Sequence, residues 1–157
     1  MRIRFENLGT IGLIVTVSLA CMLGGCGESR VPLIEASGAG NLKEVNRLLA
    51  QGADVNAGDS LVGDTALMRA SQEGRILVVE RLMEAGADVN AARKDGNTAL
   101  MLASLMGHTV IVTMLLKSGA DPNARTSRFM GKTALTYATD NDRKADIQVL
   151  RENGARE

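Results

Sequence analysis

The feature that most restricts what this chain can fold into is a motif that returns at a nearly fixed step. Gly63-Asp64-Thr65-Ala66-Leu67 comes back 33 residues later as Gly96-Asn97-Thr98-Ala99-Leu100, and 35 residues after that as Gly131-Lys132-Thr133-Ala134-Leu135. A second motif runs between these openings: Gly52-Ala53-Asp54-Val55-Asn56, Gly86-Ala87-Asp88-Val89-Asn90 and Gly119-Ala120-Asp121-Pro122-Asn123, with a shortened copy at Gly154-Ala155. Four units result, the first without its Gly-x-Thr opening. A repeat of this length is one supersecondary unit, too small to bury its own apolar face, so it must stack on its neighbours.

Within each unit the pattern reads as two short helices. Thr65, Thr98 and Thr133 have the side chain that caps a helix N-terminus. Ala36, Ala70, Ala103 and Ala138 recur at one position, where a small side chain lets helices approach. A second helix is marked by apolar residues at helical spacing. One row is Val45, Val79, Val112 and Ile147; another is Leu48, Leu82, Leu115 and Leu150. Gly52, Gly86, Gly119 and Gly154 follow that helix, where left-handed backbone suits glycine. The last unit puts Lys144 where earlier units have Leu42, Ile76 and Thr109, and Arg151 where they have Leu49, Met83 and Leu116. A polar outer face of this kind ends a stack.

The pattern G-x-T-A-L-x-x-A…L-L-x-x-G-A-D-V-N resembles the ankyrin repeat over about residues 30 to 157. The resemblance implies an all-α solenoid of about four helix-turn-helix units with extended turns. The chain departs from the family's T-P-L-H: it reads Thr-Ala-Leu-Met twice and then Thr-Ala-Leu-Thr, so the usual Thr–His hydrogen bond is missing. The final unit also replaces the inter-helix glycine (Gly40, Gly74, Gly107) with Asp142.

The first thirty residues read differently. Arg2 and Arg4 precede an uncharged run from Leu8 to Gly27, strongly apolar from Ile11 to Leu23. A basic start, an apolar stretch and then small residues is the layout of a secretory signal. The run ends Leu23-Gly24-Gly25-Cys26, which resembles the lipobox of bacterial lipoproteins. That resemblance implies a signal peptide at 1–25, lipidation of the Cys26 thiol by a diacylglyceryl group, and acylation of the freed amine, with palmitate as a typical chain. Residues 26–30 are then a short linker, and 31–157 the repeat domain. The alternatives are an uncleaved anchor helix, since ~20 uncharged residues are about enough to span a bilayer, and ordinary cleavage elsewhere in the small-residue stretch. The two arginines keep the N-terminus cytoplasmic, so the repeats are expected in the periplasm, held at a lipid bilayer. Gly27 after the cysteine leans toward the outer membrane by family resemblance. The linker reaches under roughly 20 Å when extended, which keeps the solenoid near the membrane. The only other cysteine, Cys21, leaves with the signal, so packing rather than a disulfide must stabilise the domain.

Composition excludes several classes. Formal net charge is zero, whereas electrostatic binding of nucleic acid needs a basic face. Aromatic residues are 2%, too few for base-stacking platforms. Gly131-Lys132-Thr133 matches the end of a phosphate-binding loop, but Thr126 stands where its first glycine belongs. His108 is the sole histidine and has no partner ligands for a metal; a structural role is expected. Asp140, Asp142 and Asp146 lack the glycine and oxygen count of a calcium loop. No nucleophile, base and orienting group can be assembled. A non-enzymatic protein without cofactor or metal, monomeric, is expected.

Ankyrin-like stacks usually bind through turn tips and the exposed side of the first helices. Mapped onto this chain, that surface offers Leu61, Val62, Asp64, Gln72 and Glu73 in unit two. Unit three offers Lys94, Asp95, Asn97, Leu105 and Met106; unit four offers Phe129, Met130, Lys132, Asp140 and Asn141. The apolar pairs are expected to line one strip that faces another protein. The turns holding Leu61-Val62 and Phe129-Met130 are longer than that of unit three and could instead tuck these residues in. Leu105-Met106, in the unit without an insertion, favours binding. The expected function is a membrane-anchored, extracytoplasmic scaffold for protein–protein interaction. Alternatives are a periplasmic antagonist of a toxin, an envelope enzyme working through carboxylates such as Asp64 and Glu73, and a structural tether to the wall.

Overall fold

A computed structural model describes residues 31–128 and 131–156. Cys26, the signal and linker assignments, Phe129 and Met130 lie outside the described residues. Eight helices appear among the described residues, in four antiparallel pairs: α1 (Pro32–Ala39) with α2 (Leu42–Ala50), α3 (Ala66–Gln72) with α4 (Ile76–Glu84), α5 (Ala99–Met106) with α6 (Thr109–Lys117), and α7 (Ala134–Asp140) with α8 (Lys144–Glu152). The odd-numbered helices pack in sequence as an inner layer, and the even-numbered ones as an outer layer. Each pair is joined to the next by an extended finger. The chain is an all-α repeat solenoid, and none of the described helices is long and apolar enough to cross a membrane.

The caps are where the repeat motif places them. The hydroxyl oxygens of Thr65, Thr98 and Thr133 accept the backbone N–H of Met68, Met101 and Thr136. Met68 and Met101, standing where the family has histidine, are buried in the core instead. In unit four Thr136 restores a reciprocal cap: its hydroxyl accepts the Thr133 N–H at 3.2 Å, while the Thr133 hydroxyl accepts its own N–H. The alanine row is buried throughout, as are Val45, Val79, Val112, Leu82, Leu115 and Leu150; Leu48 and Ile147, in the end units, are half-buried.

Units are clamped together at two levels. At the fingers, each asparagine of the Ala-Asp-x-Asn motif reaches the unit ahead. Asn90 Nδ2 donates to Gly119 O at 3.0 Å, and its Oδ1 accepts the Asp121 N–H at 2.8 Å. Asn56 does the same with Gly86 and Asp88, and Asn123 with Gly154 and Arg156. The aspartate two residues earlier accepts the asparagine N–H and so fixes the turn that aims it.

The second level lies at the loops between the two helices of a unit. A side chain of each unit lies on the loop glycine of the unit before it: Arg75 on Gly40, His108 on Gly74, Arg143 on Gly107. His108 Nε2 donates to Gln72 O at 3.0 Å and Arg75 Nε to Gly38 O at 2.9 Å. A Cβ on Gly74 would sit 2.7 Å from the His108 ring, and its φ of +70° already disfavours any other residue. Unit four keeps its two-helix geometry although Asp142 holds the glycine position at φ 51°.

Two predictions follow from these positions. Gly74→Ala is expected to lower stability by about 2 kcal/mol or more, since left-handed backbone costs about 1–2 kcal/mol for a residue with a Cβ and the clash adds to it. Asp142→Gly is expected to raise stability by about 1 kcal/mol; chemical denaturation of both variants checks the contrast. Asp146, on α8, is 1% exposed and neither carboxylate oxygen has a hydrogen-bond partner. Val78 and Ile111 fill the same position in units two and three. Asp146→Ile is therefore expected to raise the denaturation midpoint, by about 1–2 kcal/mol of stability.

Candidate functional site

The four inner helices and the finger tips form the candidate face. Its residues fall into two rows, not one strip. Leu61, Val62, Lys94 and Asp95 sit on the fingers that precede the inner helices, while Gln72, Glu73, Leu105, Met106, Asp140 and Asn141 sit at the far ends of those helices. An eight-residue helix such as α5 separates the rows by about 12 Å.

The finger row is built on Asp59. Its carboxylate accepts the N–H groups of Leu61 (2.8 Å), Val62 (2.8 Å) and Asp64 (3.1 Å), closing the turn from inside. With the polar groups drawn inward, the Leu61 and Val62 side chains point out: Leu61 is 78% exposed and Val62 48%. The longer turn of unit two therefore does not tuck its apolar pair away. The next finger is laid alongside. Lys94 N–H donates to Val62 O at 3.0 Å, and Lys94 Nζ to Ser60 O (2.7 Å) and Leu61 O (3.0 Å). Fingers three and four meet through the N–H of Ser127 donating to Asp95 O at 2.9 Å. Gly96 is required there, because a Cβ would come within 2.4 Å of the Ser127 nitrogen. The result is a tip cleft of about 250 Å³ lined by Leu61, Val62, Lys94, Asp95 and Arg128.

Two residues expected on this surface are not on it. Asp64 is fully buried: Arg93 of the next finger donates from Nε at 2.9 Å, and Arg69 of α3 ion-pairs with its other oxygen at 2.9 Å. The same Arg93 guanidinium donates to Gln72 Oε1 at 3.1 Å, tying Gln72 into the bridge. Asn97 is also buried, beneath a finger whose Thr126 and Ser127 close over Gly96. Both occupy the x of the Gly-x-Thr opening, a position that looks like a turn tip in one unit and is roofed by the next unit in the stack. Among the other expected residues, Met106 is 45% exposed, Glu73 is exposed and Leu105 is half-buried. Lys132 is held by Asp140, Nζ to Oδ2 at 2.7 Å, and lies 5.4 Å from the Tyr137 ring centre. Its ammonium titrates above the ordinary lysine range because of the Asp140 hydrogen bond.

Sequence reasoning missed the residues that organise the face (Asp59, Arg69 and Arg93) and a separate group of exposed aliphatics on the outer helices, Ile76, Leu77 and Val110. A signal for the latter was available: Leu77 and Val110 share a repeat position with Lys43 and Ala145. Among the described residues no group of histidine, cysteine or acidic side chains is arranged to hold a metal ion.

A stack of paired helices with its consensus residues spent on capping and clamping, and a face of finger tips and inner helices left open, defines a helical-repeat binding scaffold. The family model described as ankyrin repeats (3 copies) matches residues 33–126 and 91–156, and the chain belongs to that family. None of the curated proteins compared with it is a match.

The carboxyl of Asp59 lies below the ordinary aspartate range, chiefly through the Val62 N–H and then those of Leu61, Asp64 and Gly63, against a smaller opposing effect of burial. A depressed folded pKa means that its stabilisation is present above the unfolded value of 3.8 and is lost as pH falls through the lower folded value. Amide exchange at Leu61, Val62 and Asp64 is therefore expected to quicken below pH 3.8 in the native protein and to be fast already at neutral pH in Asp59→Ala.

Proposed function

We propose that this protein is a scaffold that holds another protein at an extracytoplasmic membrane surface through its fingers and inner helices. The observation that carries the reading is Leu61. A branched aliphatic side chain, 78% exposed, is displayed outward by a turn whose Leu61, Val62 and Asp64 N–H groups are satisfied by the Asp59 carboxylate. Such display loses stability and gains nothing for the isolated chain, whereas apolar side chains over a rigid, hydrogen-bonded support suit an interface core. The neighbouring Lys94 and Arg128 give the tip cleft cationic walls, so a partner segment with aliphatic and acidic side chains is favoured there. The gap of about 12 Å between the two rows is spanned by an extended segment or a helix of two turns.

Asp64 speaks against the carboxylate-enzyme alternative, since its oxygens are occupied by Arg93 and Arg69 and shielded from any substrate. The membrane location rests on the sequence alone: the charged start, the apolar run and Leu23-Gly24-Gly25-Cys26. Lipidation at Cys26 contributes about 0.8 kcal/mol per buried methylene, so two or three acyl chains hold the protein stably. Neutralisation of an incoming toxin in the same compartment is one form that binding could take.

The test is crosslinked pull-down from envelope extract with a C-terminally tagged full chain, beside Leu61→Asp with Met106→Asp. Both side chains are exposed, so the variant is expected to melt as the parent does. A discrete partner captured by the parent and reduced at least tenfold in the variant supports the face, a loss of roughly 1.4 kcal/mol. A partner retained undiminished would falsify it. Separately, Cys26→Ser is expected to lack the acyl mass and to leave the detergent phase.

A further inference from the structure

We infer that the edge formed by the inter-helix loops and the first turns of the outer helices seats on an anionic lipid bilayer, which turns the fingers away from the membrane. The inference rests on the membrane-anchored reading above and adds an orientation and a lipid class to it.

Three observations converge. The outer helices α4 and α6 begin side by side, and Leu77 (64% exposed), Val110 (56%) and Ile76 (42%) stand out from their first turns. These three, with Leu61, Val62 and Met106, are the large aliphatics that the described part of the chain leaves in solvent. Ile76 and Val110 flank a shallow, open groove of about 310 Å³ floored by Gly74, Gly107 and Thr109, and Leu77 stands beside it in the groove between α2 and α4. Neither groove carries an aromatic anchor of the kind prominent in protein interfaces. Short aliphatic side chains on an outward edge suit a fluid apolar layer better than a shaped partner.

The second observation is charge. The same edge carries Lys43, Arg75, Arg143 and Lys144. Lys43, Arg75 and Arg143 have no carboxylate at ion-pairing distance among the described residues, and Lys144 has only Asp142 at 4.0 Å. Of the other exposed acids nearby, Glu73 lines the groove between α1 and α3 with Arg69, and Glu80 lies on α4 in the groove that holds Leu77. With Asp142, Glu73 and Glu80 set against these four cations the edge keeps about one positive charge in excess, and each basic residue near an anionic surface tightens binding roughly fivefold. At the opposite edge the exposed Asp54, Asp88 and Asp121 recur once in each of the first three units. Basic and aliphatic residues together on one side of a folded element are the signature of attachment at a bilayer interface.

The third is reach. Residues 27–31 extend to about 17 Å. The first helix of eight residues is about 12 Å long, so the chain can return from the start of α1, at the finger edge, to a bilayer at the loop edge.

The test uses the full chain reconstituted in vesicles of phosphatidylcholine alone or of an equimolar mixture with phosphatidylglycerol. Amide hydrogen exchange over 75–79, 108–112 and 59–63 is the readout. The expected result is exchange slowed at 75–79 and 108–112, by up to roughly fivefold more on the anionic vesicles, with 59–63 unchanged. Leu77→Asp with Val110→Asp, at exposed positions that leave melting unchanged, is expected to abolish the protection; Lys43→Glu with Lys144→Glu is expected to abolish its dependence on phosphatidylglycerol. Equal exchange on both vesicles overturns the inference, as does protection confined to 59–63. Protection that appears without vesicles as protein concentration rises also overturns it and identifies a second copy of the chain as the occupant. Flotation of the same samples separates the two readings: a chain that floats without lipid-dependent protection refutes the edge alone, and one that does not float refutes the anchor.

Discussion

Every other feature of this molecule depends on the contact between one unit and the next. Two helices of seven to nine residues enclose nothing by themselves. Val79, Leu82 and Leu100 are buried because neighbouring helix pairs cover them. The contact is made specific at its two edges by polar groups. Asparagine side chains link fingers, and a side chain of each unit rests on the loop glycine of the unit behind it. Between these edges lies a buried apolar layer.

That division of labour explains which residues are free to act. Positions that clamp or cap are used up: Asp64 and Gln72 belong to the inter-unit bridge through Arg93, and Asn97 is buried although its place in the motif is a turn. Positions outside the clamps vary from unit to unit, and there the chain displays Leu61 and Val62 on one edge and Leu77 and Val110 on the other. Both groups are aliphatic, yet their supports differ. The fingers are braced by the Asp59 carboxylate and by Lys94 on two carbonyls, which gives the rigid surface that a protein partner needs. The starts of the outer helices are tied to the preceding unit by Arg75 and His108, and they carry a fringe of cations.

The end unit shows the same logic from the other side. Asp142 takes the left-handed backbone that glycine holds in the other units, and Lys144 is exposed at the position of Leu42, Ile76 and Thr109. Asp146 does not fit the scheme. A carboxylate stands at a buried position that is valine or isoleucine in units two and three, with no hydrogen-bond partner, and nothing in its surroundings accounts for it.

The sequence by itself determined the period, the helix pairs, the threonine caps, the left-handed glycines and the polar end of the stack. Each of these is local: a cap or a left-handed turn depends on a few successive residues, and repetition shows which positions matter. What only the tertiary structure decided is what the neighbouring unit does to a position. Asp64 and Leu61 lie three residues apart in the same turn, and nothing in that turn says that one is buried and the other exposed. Arg93, 29 residues further on, covers the first, and the Asp59 carboxylate turns the second outward. The division of the candidate face into two rows has the same origin, since the length of an inner helix, not the order of residues in the repeat, sets the distance between finger and loop.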